Sequence, residues 1–150
     1  MSGDLGGRSF AKDTFLRFVE LLAANLDDHE ARPVDLATRA YLSRCHFDRV
    51  VRGAAGEPPG TFRRRILLER AAYRLITTDR GILDVALEAG FASHEAFTRA
   101  FERSYGAPPS RWRLKPSKFQ IAAPSDVHFH PPGGLRLPGQ AKVGPMDLVE

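Results

Sequence analysis

The chain has 150 residues, 43% of them hydrophobic, and a formal net charge of +4 at pH 7. This length allows one domain, or a small domain with tails, and supplies enough apolar side chains for an ordinary core. A single cysteine excludes an internal disulfide framework, and no apolar run approaches the roughly 20 residues of a membrane span. Residues 1–9 are Gly-rich and lack the apolar segment of a signal peptide, so we expect them to be disordered and the protein to be cytoplasmic.

The first predicted helix spans residues 10–26. Its apolar side chains recur at helical spacing and form one face, made of Phe15, Phe18, Val19, Leu22 and Leu26. Residues 25–33 are a polar connection, and Pro33 prevents a helix from running through it. A second short helix is predicted over residues 34–40, followed by a turn at residues 41–42.

A third helix is predicted over residues 43–53, with the hydroxyl of Ser43 as its N-cap. Its inward side chains are Phe47, Val50 and Val51, and its outward side chains are Arg44, Cys45, Asp48, Arg49 and Arg52. Residues 56–59 contain one glycine and two prolines, so the helix cannot continue through them.

The longest predicted helix spans residues 61–78 and ends at residues 79–81. Its apolar positions include Phe62, Ile66, Ala72, Leu75 and Ile76. Four basic residues cluster toward its start: Arg63, Arg64, Arg65 and Arg70. We expect this helix to be a rigid linker between the elements on either side of it.

After the linker, a short helix over residues 82–89 is followed by a tight turn at residues 90–92 and a longer helix between Ser93 and Gly106. Ser93 is a candidate N-cap, and Gly106 takes the positive φ of a C-terminal cap at little cost. The inward stripe is Phe97, Ala100, Phe101 and Tyr105, and the outward face is His94, Glu95, Thr98, Arg99 and Arg103. This order is typical of a helix-turn-helix, whose second helix enters the major groove of DNA.

An internal repeat indicates that the chain carries two such units. Residue pairs 50 positions apart match: Phe47 with Phe97, Arg49 with Arg99, Gly56 with Gly106, Pro58-Pro59 with Pro108-Pro109, and Phe62 with Trp112. A linker of about 18 residues is roughly 27 Å long, which suits two recognition helices about one DNA turn apart. A spacing short of a full turn should bend the DNA toward the protein.

The positive charge gathers on the same part of the chain. Residues 41–115 hold fourteen Lys/Arg against eight Asp/Glu, whereas residues 10–40 hold four against six. This distribution fits a surface that faces phosphates, although a solvated face without a partner has the same composition.

These residues resemble the C-terminal DNA-binding domain of the AraC/XylS family of bacterial transcription regulators. The second unit carries the most specific matches: Ile82, Ala86, Gly90-Phe91, Phe97, Arg99, Phe101, Gly106, Pro108 and Trp112-Arg113. The first unit matches through Ser43, Phe47, Arg49, Gly56 and Pro58. Tyr41 and Val51 depart from the usual glycine and aromatic residue, which predicts different packing or weaker binding by the first unit. The short segment before the first helix resembles members that act without an N-terminal sensor domain.

The resemblance implies an all-α fold over residues 10–115, with two tandem helix-turn-helix subdomains joined by a long linker helix. It implies sequence-specific binding to double-stranded promoter DNA, contact with RNA polymerase, and a place at the nucleoid. The expected base-contacting residues are Arg44, Cys45, Asp48, Arg49, His94, Glu95, Thr98 and Arg99. The expected phosphate-contacting residues are Arg39, Ser43, Arg63, Arg64, Ser93, Arg103, Arg111 and Arg113.

Several of these residues have an alternative role within the protein. Arg49 and Arg99 are also compatible with phosphate contacts or with partners inside the protein. Each arginine among the phosphate candidates is about equally compatible with an idle surface charge. Asp48 is correctly spaced to form a salt bridge with Arg44 or Arg52 instead of contacting a base.

No enzymatic site is predicted, and no cofactor or metal. Cys45 has no partner cysteine or ligand cluster nearby in the sequence, so we interpret it as a small, partly exposed filler rather than a redox or methyl-acceptor sensor. His29, His46 and His94 lack the spacing of metal ligands. We found no Ser/His/Asp arrangement, phosphate-binding loop or paired-carboxylate pattern.

The tail over residues 116–150 is rich in proline and glycine, which excludes long helices over most of it. Residues 121–123 and 127–130 are candidates for short extended pieces, and His128 and His130 would share one face. Two histidines do not make a metal site, so we expect a linker. Residues 146–150 have the pattern of the first turn of another helix.

The tail is similar to the connector of proteins that fuse an AraC-like unit to a DinB-like four-helix domain. The alternative to a complete regulator is therefore the front part of a longer protein. In that case a C-terminal DinB-like metal-binding domain would carry a sensing or enzymatic function.

Overall fold

The computed structural model describes residues 2–30, 43–131, 134–137 and 142–143. Within these ranges the helices are α1 (Ser2–Ala24), α2 (Arg44–Ala55), α3 (Pro59–Thr77), α4 (Ile82–Glu88), α5 (His94–Tyr105) and α6 (Pro109–Trp112). The strands are β1 (His128–His130), β2 (Gly134–Arg136) and β3 (Lys142–Val143). The predicted helix over residues 34–40, the turn at residues 41–42, Arg39 and the helical turn at residues 146–150 lie outside the described residues.

Helix α1 begins at Ser2, so the backbone that we expected to be disordered before residue 10 is helical. No proline interrupts this stretch, and each glycine costs a helix only about 1 kcal/mol relative to alanine. A helix held by its packed C-terminal part can therefore extend toward the N-terminus. That packed part follows the prediction, because Phe18, Val19 and Leu22 are buried, and so is Leu26 in the turn that follows.

An aromatic cluster joins α1 to the next two helices. The Phe18 ring lies 5.4 Å from Phe47 of α2 and 5.5 Å from Phe62 of α3, measured between centroids, and both pairs meet edge to face. Phe15 meets Phe62 in the same way at 6.0 Å. This geometry is favoured by the ring quadrupoles and adds to the burial of apolar surface. The first unit therefore shares its core with α3.

Helix α3 is the central helix of the fold. Every residue from Arg65 to Ala72 is buried, so the helix is covered on all sides over two turns. It is 19 residues long and α1 is 23, so the expectation that the linker would be the longest helix is wrong. The prediction of a helix joining two units is confirmed, but this helix is part of the core rather than a bare spacer.

The second unit follows the prediction closely. Helix α5 buries Phe97, Ala100 and Phe101 and leaves the opposite face in solvent. The turn between α4 and α5 uses Gly90 at φ 88°, a value that L side chains rarely adopt. Aromatic rings of α5 and α6 pack in a row, with Phe101 5.3 Å from Trp112.

The predicted repeat is confirmed in the backbone at the C-terminal ends of α2 and α5. Gly56 ends α2 at φ 76° and Gly106 ends α5 at φ 81°, each with its N–H bonded to the carbonyl four residues earlier. Pro58 and Pro108 then cap the next helices with φ and ψ within 1° of each other. Matching residues therefore produce matching turns 50 positions apart.

The tail departs from the expected linker. Strands β1, β2 and β3 form a small antiparallel sheet in which Phe129 pairs with Leu135 and Leu135 with Val143. Val127 and Phe129 alternate along β1 and its approach, and both are buried in the same core as the helices. The extended piece predicted at residues 127–130 is confirmed, whereas residues 121–123 form no strand. The described part of the tail is thus integral to the folded body.

Candidate nucleic-acid interface

The outward face of α5 carries four residues at positions i, i+1, i+4 and i+5, which lie on one side of a helix. His94, Glu95 and Arg99 are exposed, and Thr98 is half-buried with its hydroxyl 3.4 Å from His94 Nδ1. Within the described residues, neither Glu95 nor Arg99 has an ion-pair or hydrogen-bond partner. The predicted base-reading face is therefore brought together and available to a ligand.

The N-terminus of α5 is fixed by the cap that the sequence predicts. Ser93 Oγ accepts a hydrogen bond from the Ala96 N–H at 3.1 Å. In α2, Ser43 Oγ does the same for the His46 N–H, also at 3.1 Å. Both hydroxyls can still donate to a phosphate oxygen, because capping uses them only as acceptors.

The outward face of α2 is partly engaged within the helix. Cys45 and Arg49 are exposed, but Asp48 accepts a hydrogen bond from Arg52 Nε at 2.6 Å. The salt bridge to Arg52 that the spacing allowed is therefore present, and the side chain of Arg44 lies outside the described residues. Exposed pairs of this kind contribute only about 0.3–0.5 kcal/mol, so a base could still displace Arg52 from Asp48.

The candidate phosphate ligands fall into two groups. Arg64, Arg103 and Arg111 are exposed, and the Arg64 guanidinium lies 5.7 Å from the centroid of the Phe91 ring. Arg63 and Arg113 instead have their guanidinium groups bonded to backbone carbonyls inside the protein, which the sequence did not reveal.

Arg113 closes the C-terminal end of α3. It donates to the carbonyls of Leu75 at 3.3 Å, Thr78 at 3.0 Å and Arg80 at 2.7 Å. The last carbonyls of a helix have no partner within the helix and carry partial negative charge, so a cation is well placed there. The guanidinium group of Arg113 therefore has a structural use.

Arg63 and Arg70 of α3 bind the loop that follows α1. Arg63 Nη2 donates to the Asp28 carbonyl at 3.2 Å. Burial lowers the pKa of Arg63, and the negative charge of Asp28 opposes this shift. Arg70 Nη2 lies 2.9 Å from both Asp27 Oδ1 and the Glu88 carbonyl. Burial lowers the pKa of Arg70 and Arg74 adds repulsion, while Asp27 opposes the shift. These contacts tie the first unit to the end of α4.

A buried charged cluster under the tail was not predicted. Glu69 has no exposed surface, and its Oε1 accepts from the Phe129 N–H at 2.8 Å. Its Oε2 accepts from the Ile121 N–H at 2.9 Å and from Arg65 Nη1 at 3.2 Å, and lies 2.8 Å from His128 Nδ1. The available signal in the sequence was two charged residues at the apolar run of residues 66–72, with Arg65 beside the run and Glu69 within it. Their partners in the tail, 52 to 62 residues away, could not be located from sequence.

Among the described residues, no group of three or more His, Cys, Asp or Glu side chains is arranged to hold a metal. His128 is bonded to Glu69 and to Asp126, with Nε2 2.9 Å from Asp126 Oδ1. None of the described helices is both long and apolar enough to cross a membrane.

Known proteins contain a domain similar to these two units. A family model described as a helix-turn-helix domain matches residues 36–115. The regulatory protein SoxS of Escherichia coli is 30% identical over 100 residues, which cover 65% of this chain and 94% of SoxS. This chain belongs to the AraC/XylS family.

Other relatives of this AraC/XylS chain are much longer than the part of them that matches it. The Right origin-binding protein of Escherichia coli is 35% identical over 104 residues, which cover 66% of this chain and 36% of that protein. The chain therefore matches only about a third of the length of that relative. The DNA-binding domain of AdpA, solved in complex with a target DNA, is 30% identical, with a TM-score of 0.54 over 69% of this chain and 89% of that domain.

Proposed function

We propose that this chain binds double-stranded DNA sequence-specifically and regulates transcription in the bacterial cytoplasm, at the nucleoid. The observation that carries the proposal is the pair of equivalently capped helices, α2 and α5, each with a polar outward face. Relatives that share this domain include a regulatory protein and a domain solved on DNA. The proposal gives the chain no catalytic step, and activation would add contact with RNA polymerase.

Base reading is assigned to the exposed faces of the two helices. In α5 the readers are His94, Glu95, Thr98 and Arg99, and in α2 they are Arg44, Cys45, Asp48 and Arg49. Arginine pairs with O6 and N7 of guanine, and a carboxylate accepts from N4 of cytosine. Arg99 and Glu95 are the strongest candidates, because both are exposed and without a described partner.

Phosphate contacts are assigned to Arg64, Arg103 and Arg111, and to Ser43 and Ser93 at the helix N-termini. Arg63 and Arg113 leave this set, because carbonyl groups of the protein already hold their guanidinium groups. Arg39 remains a candidate on the strength of the sequence alone.

The test is selection of binding sites from random duplexes, followed by measurement of affinity against salt. We expect two short motifs about 10 bp apart, since major-groove faces recur once per helical turn. The logarithm of the affinity should fall linearly with the logarithm of salt concentration, because bound phosphates release counterions. Enrichment of no motif, with an affinity that salt does not change, would overturn the proposal.

A further inference from the structure

Residues 117–130, called the strap below, start on the second unit. Trp112 Nε1 donates to Ser117 Oγ at 3.0 Å, just after α6. The hydroxyl of Tyr105, at the end of α5, donates to the carbonyl of Phe119. Burial and the nearby Glu69 carboxylate raise the pKa of Tyr105, so this hydroxyl keeps its proton and remains a donor. The strap is thus anchored to the second recognition helix.

The strap then crosses α3 at Glu69. This carboxylate accepts from two strap N–H groups, those of Ile121 and Phe129, and contacts the ring of His128. The Tyr73 ring of α3 lies 5.9 Å from the Phe129 ring, with their centroids as end points. A buried carboxylate is strongly destabilising unless its oxygens are paired, so the strap and Glu69 need each other.

The strap ends on the first unit. Pro124 packs so tightly on Gly56 that a Cβ added there would lie 2.6 Å from the Pro124 Cβ. Arg65 donates to the Val127 carbonyl at 2.9 Å and also to Glu57, in the turn after α2, at 3.0 Å. The strap therefore touches the C-terminal end of the first recognition helix and the turn that follows it.

We propose that the strap sets the distance and angle between the two recognition helices, and so determines which spacing between the two DNA motifs the protein accepts. Glu69 is the positioning residue, because it joins the strap to the helix that both units share. Hydrogen bonds and tight contacts at three separate points restrict rotation of one unit against the other more than α3 alone can. This inference rests on the proposed function.

The first experiment measures the geometry without DNA. Spin labels at the native Cys45 on α2 and at Ser104→Cys on α5 report the distance between the two units. Both positions are exposed. We expect a narrow distance distribution in the otherwise unaltered chain and a clearly broader one in Glu69→Gln. The amide cannot accept from all the donors that the carboxylate serves. An unchanged distribution in a folded Glu69→Gln protein would overturn the inference.

The second experiment measures affinity for duplexes whose two motifs are moved apart or together by one or two base pairs. The unaltered protein should lose about 10-fold or more on such duplexes, because one unit forfeits its base contacts. In Glu69→Gln this penalty should shrink several-fold, while affinity for a single motif stays the same. An equal spacing penalty in both proteins would overturn the inference.

Two further variants separate positioning from stability. Glu20→Gln makes the same chemical change at an exposed site on α1 and should leave both readouts unchanged. Tyr105→Phe removes the hydrogen bond from α5 to the strap and leaves every hydrogen bond of Glu69 in place, so it tests the inference if Glu69→Gln does not fold. Failure of the unaltered protein to bind DNA would overturn the proposed function, whereas the spin-label distances would still decide the role of the strap.

Discussion

At the scale of single residues, Arg111 and Arg113 show how differently two neighbouring arginines are used. They stand only two positions apart in the chain. In the structure Arg111 is exposed, whereas Arg113 holds three carbonyls at the end of α3. Local pattern predicts which residue types are present, but the partner of a long side chain depends on what tertiary folding brings near it.

Replacing Arg113 by Ala should destabilise the protein by about 2 kcal/mol, since hydrogen bonds to charged groups contribute about 1.5–3 kcal/mol. Arg111→Ala is the matched control and should stay within about 0.5 kcal/mol, as surface changes usually do. Urea unfolding measures both. Equal stabilities would show that the carbonyl contacts of Arg113 contribute nothing.

Arg99 tests base reading. Arg99→Ala should weaken binding to the selected motif by about 1–3 kcal/mol and relax the base preference at one position. Arg103→Ala, on the same helix, should weaken binding to all sequences alike and reduce the salt slope by about one. Anisotropy titrations on matched and scrambled duplexes distinguish the two. A uniform loss for Arg99→Ala would make Arg99 a phosphate contact.

At the scale of elements, the helix ends were the most predictable feature. Ser43, Ser93, Gly56 and Gly106 act as the sequence predicts, because a cap is formed by residues that are adjacent in the chain. The outward and inward faces of α2 and α5 follow from the same local periodicity. The surroundings of a cap are set by distant residues, and there the two repeats differ.

Gly56 and Gly106 show that difference. Both have positive φ, but Pro124 lies against Gly56, whereas none of the described residues comes within 4 Å of a Cβ added at Gly106. We expect Gly106→Ala to cost about 1–2 kcal/mol from backbone strain alone. Gly56→Ala should cost at least about 1 kcal/mol more, because the methyl group overpacks against the tail. Chemical denaturation of the two variants checks this, and equal losses would contradict the observed contact.

At the scale of the whole molecule, the two units were predicted but the packing of the tail on the helices was not. Proline and glycine excluded long helices from residues 116–150, yet they do not exclude short strands that pack on a core. The alternation of Val127 and Phe129 was visible, but the surface that buries them is α3, about 60 residues earlier. The local sequence of the tail does not show that the helices leave an apolar surface on α3 for it to cover.

Ending the chain at residue 116 should therefore lower the urea midpoint strongly. The deletion removes Val127, Phe129, Leu135 and Leu137, which are buried against the helices. Each such side chain stabilises a fold by about 1.5–3 kcal/mol when fully buried. A chain ending at residue 143 keeps all three described strands and is the control. If the chain ending at residue 116 is as stable as this control, the tail is a linker and does not stabilise the fold.

The central helix α3 carries a consequence for inheritance. Its side chains complete the interior of both units, and residues 65–72 are covered on every side. A recombination event that exchanged one unit alone would leave half of this helix facing water or meeting an ill-fitting partner. We therefore expect the halves of this molecule to evolve as a pair, with substitutions in one compensated across α3 in the other.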